Sequence, residues 1–125
     1  MAGRRAGRRT ALFLLYQWDV TGQPLTSLYE GEVDPFAREL AEAVVPRAPE
    51  LDAAITSAAE GWTADRLGAI ERNVLRIAVH ELETGSVPPE VAINEAVELA
   101  KRYATEDAAR LVNGILGRIA QERVS

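Results

Sequence analysis

The chain has 125 residues, of which 47% are hydrophobic and 26% charged, the balance of an ordinary globular domain with room for its own core. It contains no cysteine, which excludes disulfides, thiolate nucleophiles and cysteine-ligated zinc and fits a reducing compartment. The net charge of −5 and a pI near 4.9 argue against nucleic-acid binding by the surface as a whole.

The first expected helix runs from Gly3 to Thr21 and closes at Gly22. Leu12, Leu15, Tyr16 and Val20 recur at helical spacing, and Phe13 and Leu14 widen the stripe, so the helix reads as buried on most sides beyond its first turns. Those first turns carry Arg4, Arg5, Arg8 and Arg9 against Asp19 alone, so residues 1–20 hold +3; the total of −5 leaves −8 for the rest. A basic end on an acidic body is what a locally anionic partner requires. Arg8-Arg9 precede an apolar run, Ala11 to Tyr16, of only six residues. That is shorter than the core of about 7–15 residues in an export signal. No segment approaches the ~20 apolar residues of a membrane span, and the expected location is the cytoplasm.

A connector with Gly and Pro follows from Gln23 to Val33. Asp34 and Pro35 are a good N-cap and first position for a second helix, which Pro46 should end. A third helix should start near Pro49 and end at Gly61, with Pro46 and Pro49 bracketing a tight turn. Thr63 reads as the cap of the central helix, which runs to Thr84 with one break expected near Gly68 and is capped by Gly85. It is apolar on two faces, through Leu67, Ile70, Val74, Ile77, Ala78 and Leu82 and through Leu75 and Val79. Pro88 and Pro89 open a further helix with Val91, Ile93, Ala96, Val97, Ala100 and Tyr103 inward. Thr105 caps the last helix, whose core stripe is Leu111, Val112, Ile115, Leu116 and Ile119. Gly114 and Gly117, both poor helix formers, suggest that another backbone comes close. No strand alternation is sustained, and the expectation is an all-α chain forming one domain over residues 1–125.

The chemistry-bearing residues are few. Arg4 and Arg8, like Arg5 and Arg9, stand four apart and should point to one broad side. Like charges at that spacing, near a positive helix terminus, disfavour the helix locally. Guanidinium groups suit phosphate oxygens and stack on bases, so an RNA strand would relieve that strain. Asn94, Glu98, Lys101 and Arg102 share a helical face, with Glu98 and Arg102 spaced for an ion pair. Glu95 and Glu98 lack the signs of a buried acid–base pair. His80, the only histidine, has no metal-ligand partner, and Trp18, Trp62, Phe13 and Phe36 read as bundle contacts. There is no phosphate-binding glycine loop, nucleophile elbow or metal-ligand spacing. These residues suggest binding rather than catalysis, with neither cofactor nor metal.

Three stretches together carry a family pattern. They are Arg8-Arg9-Thr10-Ala11-Leu12 through Tyr16-Gln17-Trp18; Ile70-Glu71-Arg72-Asn73-Val74-Leu75-Arg76-Ile77-Ala78 with Glu81-Leu82; and Val91-Ala92-Ile93-Asn94-Glu95-Ala96-Val97-Glu98-Leu99-Ala100-Lys101, then Asp107 and Val112-Asn113-Gly114-Ile115-Leu116. In order and spacing they resemble the NusB family of bacterial transcription antitermination factors over nearly the whole chain.

The resemblance implies a compact bundle of about six to seven helices in two small helical subdomains. It implies binding to single-stranded boxA RNA of nascent ribosomal-RNA transcripts together with NusE, a small-subunit ribosomal protein. It also implies joining other Nus factors on RNA polymerase, with a homodimer as a further possibility. On the same ground, Arg4, Arg5, Arg8 and Arg9 correspond to the family's arginine-rich RNA-binding start, and Arg76, Lys101, Asp107 and Asn113 to further RNA-facing positions. Tyr16 and Glu71 correspond to partner-binding positions. Two positions depart from the family. Leu111 stands where many relatives carry Phe, and His80 where many carry an aromatic, so a stacking ring is missing at Leu111. NusB-like modules also form part of ribosomal-RNA cytosine methyltransferases, but these 125 residues hold neither a cysteine nor a cofactor-binding glycine motif. A protein-interaction module with incidental arginines is the alternative reading. If all four arginines met phosphates, the log–log salt dependence of binding would have a slope of about −3.

Overall fold

The structure, a computed structural model, describes residues 3–124. Six α-helices follow one another in those residues: α1 (Arg4–Thr21), α2 (Leu25–Leu28), α3 (Pro35–Ala58), α4 (Ala69–Thr84), α5 (Pro89–Tyr103) and α6 (Glu106–Val124), with a 3-10 turn over Ala64–Arg66. No strand occurs among them. Helices α1 to α3 form one small bundle and α4 to α6 a second. Helix α4 is the shared member, packed against α1 and α3 on one side and α5 and α6 on the other. One continuous apolar core runs through both bundles, which explains why α4 is apolar on two faces. No helix among the described residues is long and apolar enough to cross a membrane.

The ends of the elements follow local chemistry. Gly22 and Gly85 close α1 and α4 at φ of 74° and 67°, left-handed values that glycine adopts without cost. The Asp34 carboxylate accepts from the backbone N–H of Ala37, and the Thr105 hydroxyl from that of Ala108. The expected central helix does break near Gly68: Thr63 precedes only the 3-10 turn and makes no side-chain cap, and Gly68 caps α4.

Helix α3 overturns the expected pair of helices. Pro46 and Pro49 lie inside one 24-residue helix. Each proline removes a backbone hydrogen bond, freeing the carbonyls of Glu42 and Val45. Both prolines and Glu42 are exposed, so water can satisfy that side of the helix. The opposite side buries Leu40, Val44, Leu51 and Ile55 in an unbroken stripe. Four such side chains at about 1.5–3 kcal/mol each equal or exceed the cost of two prolines at about 3 kcal/mol each.

Three further expectations are corrected. Helix α1 is not buried on most sides: Phe13, Tyr16 and Val20 are exposed, and the buried face is Gly7, Arg8, Ala11, Leu12, Leu14 and Leu15. On α5, Val91 points outward, and Ala92 and Leu99 are buried instead. Gly114 and Gly117 are exposed, and a methyl group at either would meet nothing within 4 Å. The close approach occurs at Gly7, where an added Cβ would lie 2.5 Å from the Phe36 ring. The gap in α1 left by that missing side chain is where the start of α3 docks. Leu111 is only partly buried at the edge of the core that Val112, Ile115, Leu116 and Ile119 complete.

Replacing Pro49 by Ala restores a hydrogen bond at a solvated position. After allowance for the freer unfolded chain, the variant should be more stable by about 1–2 kcal/mol. A denaturant midpoint below that of the parent would show that the packing of α3 needs the proline.

Candidate nucleic-acid interface

The four arginines of α1 do not act as one cluster. Arg8 falls four residues before Leu12 and seven before Leu15, in register with the buried stripe, and its side chain is only 4% exposed. Its Nε donates to both carboxylate oxygens of Glu81 at 3.0 and 3.1 Å, and its Nη2 to Oε2 at 2.8 Å. Burial disfavours the Arg8 charge, but the hydrogen bonds and charge of Glu81 outweigh it and hold the guanidinium above its ordinary pKa. The Phe36 ring, seated over Gly7, has the guanidinium carbons of Arg4 and Arg8 at 5.3 and 5.6 Å from its centroid, within cation–π range. Arg8 thus anchors the start of α1 to α4 and α3, out of reach of a strand on the surface.

Arg4 and Arg5 are exposed and Arg9 partly so. Arg5 and Arg9 border a cleft between α1 and α5 whose other wall carries Glu95, Glu98 and Arg102. The two helices run side by side in the same direction. Arg5 pairs with Glu95 at 3.2 Å near their starts, and Phe13 meets Tyr103 edge-on at 5.0 Å further along. Arg102 lies over the Tyr103 ring at 5.5 Å and, among the described residues, makes no ion pair with Glu98. The expected outward face of α5 is present: Asn94, Glu98, Lys101 and Arg102 are all exposed. Lys101 stands 3.9 Å from Glu106, Asp107 pairs with Arg110, and Asn113 is exposed on α6. Arg5, Arg9 and Arg102 therefore border one cleft where α1 and α5 meet, with Arg4 turned toward Phe36 and Lys101 exposed near the end of α5. Tyr103 lines the same cleft and meets Phe13.

Arg76, another expected RNA contact, is buried at the opposite end of α1. Its guanidinium donates to both carboxylate oxygens of Asp52 at 2.7 Å, to Asp19 at 3.1 Å and to the Asn73 side chain at 3.0 Å. Trp18 lies under it at 5.6 Å. Asp19 also accepts from Arg72 at 2.8 Å and from Asn73 at 3.0 Å. Burial pushes the Asp19 carboxyl up, but Arg72, Asn73 and the Arg76 charge outweigh it and leave it below the usual aspartate range. Every buried side-chain polar atom described has a partner, as buried charge requires. The same junction holds the end of α1 beside the start of α4. There Tyr16 is exposed and the Glu71 carboxylate accepts from the Gly68 backbone N–H at 3.2 Å.

Sequence reasoning missed Glu81, Asp19 and Asp52. Arg8 and Glu81 both carried a signal, since each is a charge in register with an apolar stripe; their partnership spans 73 residues and leaves none. His80 is half-buried beside Arg47, whose Nη1 is 2.8 Å from Nδ1; burial and the Arg47 charge lower its pKa. Phe13 and Trp62, expected as bundle contacts, are 42% and 50% exposed.

The NusB family model matches residues 5–121. The chain belongs to the NusB family. Transcription antitermination protein NusB of Rubrobacter xylanophilus is 42% identical, over 97% of this chain and 91% of that protein. The protein of the same name from Salinispora tropica is 41% identical, over 97% of each. Among solved structures, Thermotoga maritima NusB matches with a TM-score of 0.85 at 34% identity, over 97% of this chain and 92% of that one. A crystal structure of antitermination factors NusB and NusE in complex with double-stranded RNA matches with a TM-score of 0.84 at 32% identity, over 95% and 96%. The all-helical NusB fold expected from the sequence is the fold observed.

Two outcomes follow for this NusB fold. Replacing Glu81 by Gln leaves the Arg8 charge buried without its counter-charge and should cost about 3–5 kcal/mol; a thermal midpoint unchanged from the parent would remove the pair from the scaffold. Replacing Asp19 by Asn should cost about 2 kcal/mol at neutral pH. Because the Asp19 pKa is lowered on folding, its contribution is complete above the ordinary value of 3.8 and is lost as pH falls through the folded value. The stability gap between parent and variant should therefore close below about pH 4, which denaturant melts at stepped pH would read.

Proposed function

We propose that the chain is a cytoplasmic transcription antitermination factor acting as one RNA-binding domain. It binds boxA RNA of nascent ribosomal-RNA transcripts with NusE and joins the other Nus factors on RNA polymerase. The observation that carries this reading is the grouping of Arg5, Arg9 and Arg102 at the α1–α5 cleft, with Arg4 and Lys101 exposed next to them in sequence, on an otherwise acidic chain whose relatives are named antitermination proteins. A related NusB has been crystallised with NusE and RNA.

The mechanism is binding without bond-making. Exposed guanidinium groups supply phosphate contacts and steering, and the acidic remainder of the surface disfavours RNA elsewhere. Phe13 and Tyr103, partly exposed between the basic side chains, offer faces and edges on which unstacked bases can rest. Lys101, Asp107 and Asn113 extend the RNA-facing surface onto α6. Arg8 and Arg76 serve it from inside, by fixing α1 against α4. Tyr16 and Glu71 lie at the far end of α1 and are assigned to NusE, so that protein and strand would occupy different parts of one surface.

Because Arg8 is buried, the arm offers three phosphate contacts rather than four. Replacing Arg4, Arg5 and Arg9 together by Ala should weaken boxA binding and flatten its log–log salt slope by about 2, read by fluorescence anisotropy between low and moderate salt with NusE present. An unchanged slope would remove the arm from the interface. A chain that captured NusE but never RNA would be a protein-interaction module.

A further inference from the structure

The ion pair between Arg5 and Glu95 has an asymmetry that the proposed RNA interface does not use. The Arg5 side chain is 77% exposed and that of Glu95 only 16%. The Arg5 Nε points between the two carboxylate oxygens, at 3.3 and 3.2 Å, and among the described residues the other guanidinium nitrogens make no hydrogen bond. Glu95 is held by the wall of α5, while Arg5 reaches across the mouth of the cleft to it from α1. The carboxylate thus lies where a phosphate oxygen would sit to meet the same guanidinium. A phosphate presents the same chemistry, anionic oxygens spaced for a guanidinium fork, and can engage the free nitrogens as well. The Arg5 end of the pair is open to solvent, where ion pairs are weak, so the contact is one that a strand can open.

We propose that Glu95 is an internal competitor for phosphate: it occupies Arg5 in the free chain and must be displaced when an RNA backbone enters the α1–α5 cleft. This inference rests on the RNA-binding reading above and adds a residue that tunes it. Glu95 lowers affinity for any polyanion by a similar factor, so contacts elsewhere, from the α6 surface or a protein partner, must make up the difference. It also keeps Arg5 extended over the cleft rather than folded onto the acidic surface. Glu98 borders the same cleft with the same charge but, among the described residues, makes no ion pair with Arg5, and so supplies the control.

The test is a pair of double-mutant cycles on the full chain, with Glu95→Gln and Glu98→Gln, each alone and combined with Arg5→Ala, and Arg5→Ala alone. Two probes are used: labelled boxA RNA and inorganic polyphosphate. Glu95→Gln keeps the side chain's shape and removes its charge, and melting midpoints verify that each variant is folded. The expected result is that Glu95→Gln tightens both probes about threefold, the scale of one exposed ion pair. That gain should largely vanish in the Arg5→Ala background, and Glu98→Gln should show no such dependence on Arg5. Weaker binding by Glu95→Gln, or an equal gain with and without Arg5, overturns the proposal. Coupling on polyphosphate in a chain that ignores boxA RNA would keep the Glu95 inference and remove the RNA reading. RNA binding without coupling would do the reverse, and a chain that bound neither probe would overturn both.

Discussion

The fold turns on how α1 is fixed to α4, which it does by buried charge at both of its ends. Near its start Arg8 meets Glu81, close to the end of α4; near its finish Asp19 meets Arg72, Asn73 and Arg76, close to the beginning of α4. The helices are therefore antiparallel, and the signs alternate: cation on α1 with anion on α4 at one junction, the reverse at the other. An α1 inserted the other way round would face Arg8 with Arg72 and Arg76, and Asp19 with Glu81. Apolar packing between Leu12, Leu15 and α4 does not discriminate direction in this way, because hydrophobic contact is non-directional. A buried ion pair adds little net stability, but a mismatched or unpaired one costs several kcal/mol. These pairs therefore act mainly by excluding the wrong arrangement.

That constraint also shapes the edge proposed to bind RNA. An arginine-rich helix start is unfavourable by itself, since like charges four apart repel and the terminus is already positive. Turning Arg8 inward onto Glu81 removes one charge from that repulsion and converts it into an anchor. The Phe36 ring, admitted by Gly7, receives both Arg4 and Arg8. What remains outside is a short row of guanidinium groups on a helix that cannot swing away. A strand binding there meets side chains already carried on an ordered backbone, which lowers the entropy cost of association.

Much of this was legible in one sequence. Helix ends with a local chemical cause were readable, because Asp34 and Thr105 cap through their own side chains and Gly22 and Gly85 accept a left-handed turn. The position of α4 was readable from apolar residues on two faces. The joining of the second and third helices was not, because a proline's effect depends on whether its side of the helix faces water, which only the tertiary packing of Val44, Leu51 and Ile55 decides. For the same reason Gly7 rather than Gly114 proved to be the close contact. At the candidate site, the location and sign of the basic edge were readable from charge asymmetry. The division of labour within it was only half readable: Arg8 stands in register with Leu12 and Leu15, but the partner that holds it lies 73 residues away.

The acidic remainder of the chain has a part in this design. With +3 in the first 20 residues and −8 in the rest, most exposed carboxylates repel an RNA backbone, and within a Debye length of about 8 Å at physiological salt that repulsion acts locally. At the edge proposed for the strand, where α1 and α5 meet, Glu95 and Glu98 sit among the arginines. Affinity at such an edge is the difference between attraction and nearby repulsion. It therefore responds strongly to any surface that supplies further contacts alongside. A small acidic helical protein whose basic edge is interleaved with carboxylates is accordingly better suited to hold RNA as a member of an assembly than alone.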